Sequence, residues 1–485
     1  MVEYKAPLRE YEFILREVLQ IENELGSYPA YSEATWDMIE MISEQFGKIS
    51  EDYWLKSSKD GDEIGVIFDD GKVIVPESMK EATRVVIEGG LTQLFGHQEY
   101  GGMEFPNVIN VLSDEMSCAT NMSLGIYLGL TKGAYHCIHK HGSKKIRNRY
   151  LPKFLSGEWF GTMCLTEAHC GTDLGLIRTS AKPNNSAYLV SGQKIFISCG
   201  EHDMADNIIH LVLARLPGAP KGVKGISLFL VPKYKVNEDG TLGGENGVNC
   251  VSIEEKMGIH GSATCVMSFE KSEGYLIGEL NEGLAAMFSM MNTERIAVGL
   301  QGLGQSEIAY QNALSYAKDR IQGRDLKKPR NPEEEADPLI VHPDIRRMLL
   351  RAKSLIDSGR MLACWTALAI DKSEKDTDAK VRKENGDLVE LMTPIVKALL
   401  TDYGVEITSD MLQIFGGHGY IKEYGMEQFY RDVRIAPIWE GTNGIQALDL
   451  AGRKMPQNMG RLLRRFFHPA LEFIEKNKKD EDLKE

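Results

Sequence analysis

The chain has no CxxC pair, no Walker A sequence and no apolar run near the roughly 18 residues that a membrane helix needs. Those absences remove the main support for zinc-ribbon, thioredoxin-like, P-loop and membrane-spanning readings. A surplus of positive charge is missing too. Lys+Arg number 56 against 70 Asp+Glu, a net charge of −14, which makes the chain as a whole a poor match for nucleic acid or an anionic membrane. The start, MVEYKAPLREYEF, lacks a basic stretch followed by an apolar one, so no secretory leader is expected and the cytoplasm is the default compartment. Eight scattered cysteines then read as reduced, partly buried thiols.

What is present is ordinary globular material: 485 residues, 42% hydrophobic and 26% charged, enough for roughly three folding units. YEFILREVLQIENEL and SEATWDMIEMISEQFGKISEDYWL carry the helical spacing of apolar groups. Near residue 160 the pattern changes. AYLVSGQKIFIS, ADNIIHLVLARL, GISLFLVPKYKV and TCVMSFEK are short β-rich runs bounded by turn residues, and read as an antiparallel β-domain. Helical periods return at 281 and suit a bundle. The expected architecture is therefore α+β and multidomain: a helical domain over 1–160, a β-domain over 161–280, a helical bundle over 281–452 and a charged helical tail over 453–485. KKPRNPEEEADP (327–338) and DKSEKDTDAKVRKENGD (371–387) read as exposed insertions, the second with room for helix. GLQGLG (299–304) lies inside a helical pattern and predicts close helix packing rather than a dinucleotide fingerprint.

The densest local signal is IAPIWEGTNGIQALDLAGRK (435–454). Glu440 beside Ile438 and Trp439 would be partly desolvated, which strengthens a carboxylate as a base. The glycine-rich turn that follows opens a helix and offers free N–H groups to an anion. The bland alternative is a first-turn acid with Asn443 as helix cap. MCLTEAHCGTDLG (163–175) supplies Thr166 and Thr172 in a small-residue loop, and GQKIFIS (192–198) is a strand carrying Phe196 and Ser198. His136, His139 and His141 have no common ligand spacing, and no metal site is expected.

Taken together, LTEAHCGTD, GQKIFIS, EKMGIHGSATCVMSFE, NTERIAVGLQGLGQSEIAYQNALSYAKDR and QIFGGHGY followed by RDVRIAPIWEGTNGIQ resemble the acyl-CoA dehydrogenase family over about residues 80–455. The resemblance implies that family's helix–strand–helix fold, FAD as cofactor and electron-transferring flavoprotein as partner. It implies Glu440 as the base that takes the proton α to a thioester carbonyl, its own N–H and a flavin hydroxyl holding the carbonyl oxygen. Thr166, Ser198 and Phe196 would meet the isoalloxazine, Thr172 the pyrophosphate or substrate, and Thr442 the nucleotide portion of FAD. Arg320, Gln413 and Gly417 would reach the FAD of a neighbouring subunit in a homodimer or homotetramer. Arg295 and Trp439 would face the substrate. Phe196 stands where the family has tryptophan, His260 where it has arginine, and Trp439 where it has tyrosine. The phenylalanine expected after Arg320 is absent from DRIQGRDL.

VEYKAPLREYEFILREVL, GEHDMADNIIHLVLARLPGAPKGVKGISLFLVPK and EEKMGIHGSATCVM resemble the subgroup that contains 3-methylmercaptopropionyl-CoA dehydrogenase, which acts in dimethylsulfoniopropionate catabolism. That resemblance adds 3-(methylthio)propanoyl-CoA to the expected substrates beside ordinary fatty acyl-CoAs. The rivals are an acyl-CoA oxidase and a non-catalytic DNA-associated flavoprotein using the basic tail, against which the intact Glu440 segment and the net charge both argue.

Overall fold

The computed structural model describes residues 2–483, without the side chains of residues 292, 293 and 482. Two short helices, α1 (Leu8–Glu12) and α2 (Ile21–Leu25), lead into α3 (Trp36–Ile49) and α4 (Leu55–Glu63). A hairpin of β1 (Ile67–Asp69) and β2 (Lys72–Ile74) precedes α5 (Glu77–Glu88). The long α6 (Asn107–His141) and α7 (Lys144–Leu155) follow. In α6 the backbone leaves helical geometry at Asn121, whose side chain accepts from Leu124 N (3.0 Å) and donates to Ser57 Oγ (2.9 Å). The asparagine thus breaks the helix and recaps its second half.

A seven-stranded sheet comes next, from β3 (Trp159–Cys164), β4 (Ser180–Asn184), β5 (Ala187–Ser198), β6 (Asn207–Ala214), β7 (Ser227–Pro232), β10 (Val248–Ile253) and β11 (Thr264–Ile277). β8 (Tyr234–Val236) and β9 (Leu242–Glu245) form a separate pair. The order is β3-β6-β7-β11-β5-β4, with β10 on β11. Every pairing is antiparallel except one. β3 runs parallel to β6, so the sheet is mixed where the sequence suggested an antiparallel one. The reason is the 42 residues between the two strands, which contain β4 and β5 and allow the crossover that a parallel pair requires.

The C-terminal bundle comprises α8 (Gly283–Asp319), α9 (Pro343–Lys375), α10 (Ala379–Ile414), α11 (Met426–Val433), α12 (Asn443–Asp449) and α13 (Gln457–Asn477). The glycines of GLQGLG do what their helical context implied. A Cβ on Gly302 would strike the Leu400 carbonyl of α10, and one on Gly304 would strike the α6 backbone at Glu115 and Cys118. They let α8 approach two helices at once.

One of the two insertions expected from the sequence needs correction. Asp371 is not part of an exposed insertion: it is buried on α9, accepts from Tyr31 Oη (2.7 Å), and caps the start of α6 through Asn107 N (2.7 Å) and Val108 N (3.2 Å). The 327–338 insertion is exposed, yet it is organised by buried Asp337, which accepts from the backbone N–H of Arg330 and Asn331 (both 2.8 Å). All eight cysteines are buried and unpaired. Among the described residues no helix is long and apolar enough to cross a membrane.

Candidate active site

The segment after α11 folds into a tight turn that ends in α12. Trp439 N and Ile438 N both donate to Ile435 O, and Asn443 N to Pro437 O. Glu440 (φ +55°) and Gly441 (φ +83°) are both left-handed, a conformation that disfavours a glutamate by on the order of 1 kcal/mol or more. Surrounding bonds hold it there. Gln446 Nε2 donates to the carbonyls of Glu440 and Gly441 (both 3.1 Å). Asn443 accepts from Lys397 Nζ (2.8 Å) and donates to Thr401 Oγ1 (2.9 Å) and Asp402 Oδ1 (2.7 Å). The helix cap is Thr442, which accepts from Ile445 N (3.3 Å), so Asn443 serves as a tie to α10 rather than as the cap.

The turn delivers Glu440 and Trp439 to a cavity of about 1050 Å³, counting its open mouth. Ser198 of β5 and both halves of α6 line the same space, and α8 contributes Glu294 and Gln301. Burial raises the Glu440 carboxyl to about 7, while Arg295 and Lys397 pull the other way. Burial, then the charge of Glu440, pushes Glu294 well above the usual carboxylate range, with Lys132 opposing. Glu294 Oε1, Gln301 Oε1 and Trp439 Nε1 are buried without a hydrogen-bond partner within the chain, a state that normally awaits water or a ligand. Arg295 is buried, its Nη1 3.3 Å from Asp449 Oδ2.

A second surface adjoins the first. The 165–167 loop and β5 are joined by Ile195 N donating to Thr166 O (2.9 Å). Lys194 pairs with Glu167 (2.9 Å), which also accepts from Arg178 N and Thr179 N. Burial would raise the Glu167 carboxyl, but Lys194 and these bonds hold it down at about 2. Glu167, His169 and Cys170 offer ligand atoms within 4.8 Å of one another, but the bonds of Glu167 already make it a strut of the loop. A register shift in the β5–β11 ladder leaves Phe196 left-handed (φ +55°) and 59% exposed. An aromatic face held open beside the half-exposed Thr166 and Ser198 fits a flat, partly polar ring such as a flavin.

Glu440, Trp439 and Ser198 therefore line one cavity, with Arg295 in electrostatic reach of Glu440. Thr172, Thr442, Arg320, Gln413 and Gly417 are exposed and line no part of it. His260 sits in a turn rather than on a strand. Its Nδ1 lies 3.0 Å from Asp62 Oδ1 and its Nε2 2.8 Å from Lys256 O. His139 stacks on His97 at 3.5 Å between ring centroids, and His141 bonds Ser289 (2.7 Å). Sequence reasoning missed Glu294, Gln301, Lys132 and Lys397. The available signal was a charge set among apolar neighbours, as in TPIVKALL, but only packing shows which charges meet.

Comparison with known proteins identifies the three domains. Family models for the N-terminal, middle and C-terminal domains of acyl-CoA dehydrogenase match residues 70–158, 162–272 and 281–455. A 3-methylmercaptopropionyl-CoA dehydrogenase of Ruegeria pomeroyi is 42% identical over 464 residues, 96% of this chain and 78% of that protein. A butyryl-CoA dehydrogenase of Syntrophomonas wolfei is 36% identical over 492 residues, 99% of this chain and 80% of that one. Among solved structures, butyryl-CoA dehydrogenase from Megasphaera elsdenii superposes with a TM-score of 0.69 at 26% identity, covering 86% of this chain and 98% of its own.

Proposed function

The chain belongs to the acyl-CoA dehydrogenase family, and on that premise we propose that it oxidises an acyl-CoA thioester to the trans-2-enoyl-CoA, with Glu440 as the base. It is an oxidoreductase acting on acyl-CoA. The observation that carries the finer reading is a carboxyl pushed to about 7 at the wall of the cavity that Ser198 also lines, with the exposed ring of Phe196 two residues from Ser198 along β5. A thioester α-proton is weakly acidic, so its removal needs a desolvated carboxylate together with stabilisation of the enolate oxygen. The Glu440 N–H is one donor for that oxygen. Bound FAD would supply the hydride acceptor that no side chain provides. Thr166, Ser198 and Phe196 are the residues that would hold its ring, Thr172 and Thr442 would face its phosphates or nucleotide, and Trp439 with Arg295 would flank the acyl group.

The substrate is a short acyl-CoA, with 3-(methylthio)propanoyl-CoA favoured by the Ruegeria relative and butanoyl-CoA by the Syntrophomonas one. Electrons would pass to electron-transferring flavoprotein. A homodimer or homotetramer would bring exposed Arg320, Gln413 and Gly417 to a neighbour's FAD. Buried, unpaired thiols support a reducing, cytoplasmic setting.

The test is anaerobic titration of the yellow holoenzyme with both thioesters. Bleaching by at least one is expected. Glu440→Gln should keep the flavin and slow bleaching roughly 10²- to 10⁴-fold. Normal bleaching in that variant would remove Glu440 as the base, and peroxide release during turnover would favour an oxidase.

A further inference from the structure

Lys397 lies on α10 with no solvent exposure, in a stretch otherwise apolar or hydroxyl-bearing: Thr393, Pro394, Val396, Leu400 and Thr401 are buried around it. A buried ammonium is costly unless it is paired, so its position requires a reason. Its hydrogen-bond partner is Asn443 Oδ1 (2.8 Å), three residues beyond Glu440. Asn443 is the hub that ties the base turn to α10, through Thr401 and Asp402 as well as Lys397. The turn of the left-handed Glu440 is thus tied to α10 through Asn443, and Lys397 is the cation among the groups that orient that asparagine.

The groups in electrostatic reach are few. From α8, Arg295 and Glu294 act with Glu440, and from α10 Lys397 does. Lys132 and Asp114 of α6 act on Glu294 in turn. Arg295 is shared with Asp449, which also pairs with Arg453 (2.8 Å). Lys397 itself feels Glu440, Asp402 and Arg295. Burial lowers its ammonium to about 8, with Glu440 and Asp402 resisting, so it still carries charge at neutral pH.

Resting on the reading of Glu440 as the base, we propose that Lys397 is its positioning residue. The buried ammonium holds the Glu440 turn through Asn443 and supplies a positive charge on which the carboxylate form of Glu440 depends.

One variant removes the charge alone and a second removes charge and donor together. Lys397→Gln keeps a donor for Asn443 and drops the charge; Lys397→Met drops both. The midpoint of Glu440 is read in the holoenzyme in two ways. One is the pH dependence of first-turnover bleaching by butanoyl-CoA or 3-(methylthio)propanoyl-CoA. The other, without acyl-CoA, is an infrared titration of the carboxyl band that disappears in Glu440→Gln. Both variants should raise the midpoint by about one pH unit. From a start near 7, that lowers the carboxylate fraction at neutral pH about fivefold, and the rate should recover on going alkaline. An unchanged midpoint in Lys397→Gln would overturn the proposal, whatever the stability of Lys397→Met. Failure of both thioesters to bleach the wild-type protein would instead remove the dehydrogenase reading, and the infrared midpoint would still decide the role of Lys397.

Discussion

Two buried charge clusters in this molecule are built in opposite ways. In the first, Arg360 of α9 donates to Glu115 of α6 (Nε to Oε2, 2.8 Å) and to Glu307 of α8 (2.8 Å), and Tyr11 Oη also donates to Glu115. All four are buried and each has partners from other helices. In the second, Glu440 and Glu294 face one cavity with cations nearby, yet Glu294 Oε1 has no partner in the chain. The first cluster spends its carboxylates on holding α6, α8 and α9 together. The second leaves carboxyls hungry for protons, which suits a base and costs stability.

Substitutions at each cluster should break or sharpen that contrast. The largest effect is expected from Arg360→Met, which strands Glu115 and Glu307 in the core. Urea unfolding should show a loss of about 3–5 kcal/mol. Lys194→Met comes next, because it leaves buried Glu167 without its cation. A loss of roughly 2–3 kcal/mol is expected by the same measurement.

Glu440→Gln should have the opposite sign. The folded-state carboxyl is raised, so folding favours its protonated form. That contribution is full below about 4.5 and is lost as pH rises through about 7. Melting curves at pH near 8 should therefore show the variant more stable by about 1–2 kcal/mol, discounted for partial exposure, and near wild type at about pH 5. The smallest effect is expected from Glu294→Gln. Burial and the neighbouring Glu440 push its carboxyl well above the usual range, toward the neutral form that an amide imitates, so stability should stay within about 0.5 kcal/mol of wild type and the acid limb of activity should not move. A large change there would mean that Glu294 is ionised and that the two carboxyls do not share the cavity as described.

The amino-acid sequence on its own determined the helix–strand–helix order, the strand runs later seen as β5, β6, β7 and β11, and the helical setting of GLQGLG. It also singled out Glu440 beside a bulky apolar run. These are local properties: side-chain period, turn residues and short motifs are readable because they act over a few neighbours. Tertiary structure alone decided the parallel β3–β6 pairing, the capping of α6 by Asp371 from 264 residues away, and the meeting of Glu440 with Glu294 and Arg295 of α8 and Lys397 of α10. The ionisation of a carboxyl depends on the burial and charges around it, and those arrive from distant parts of the chain only when it is packed.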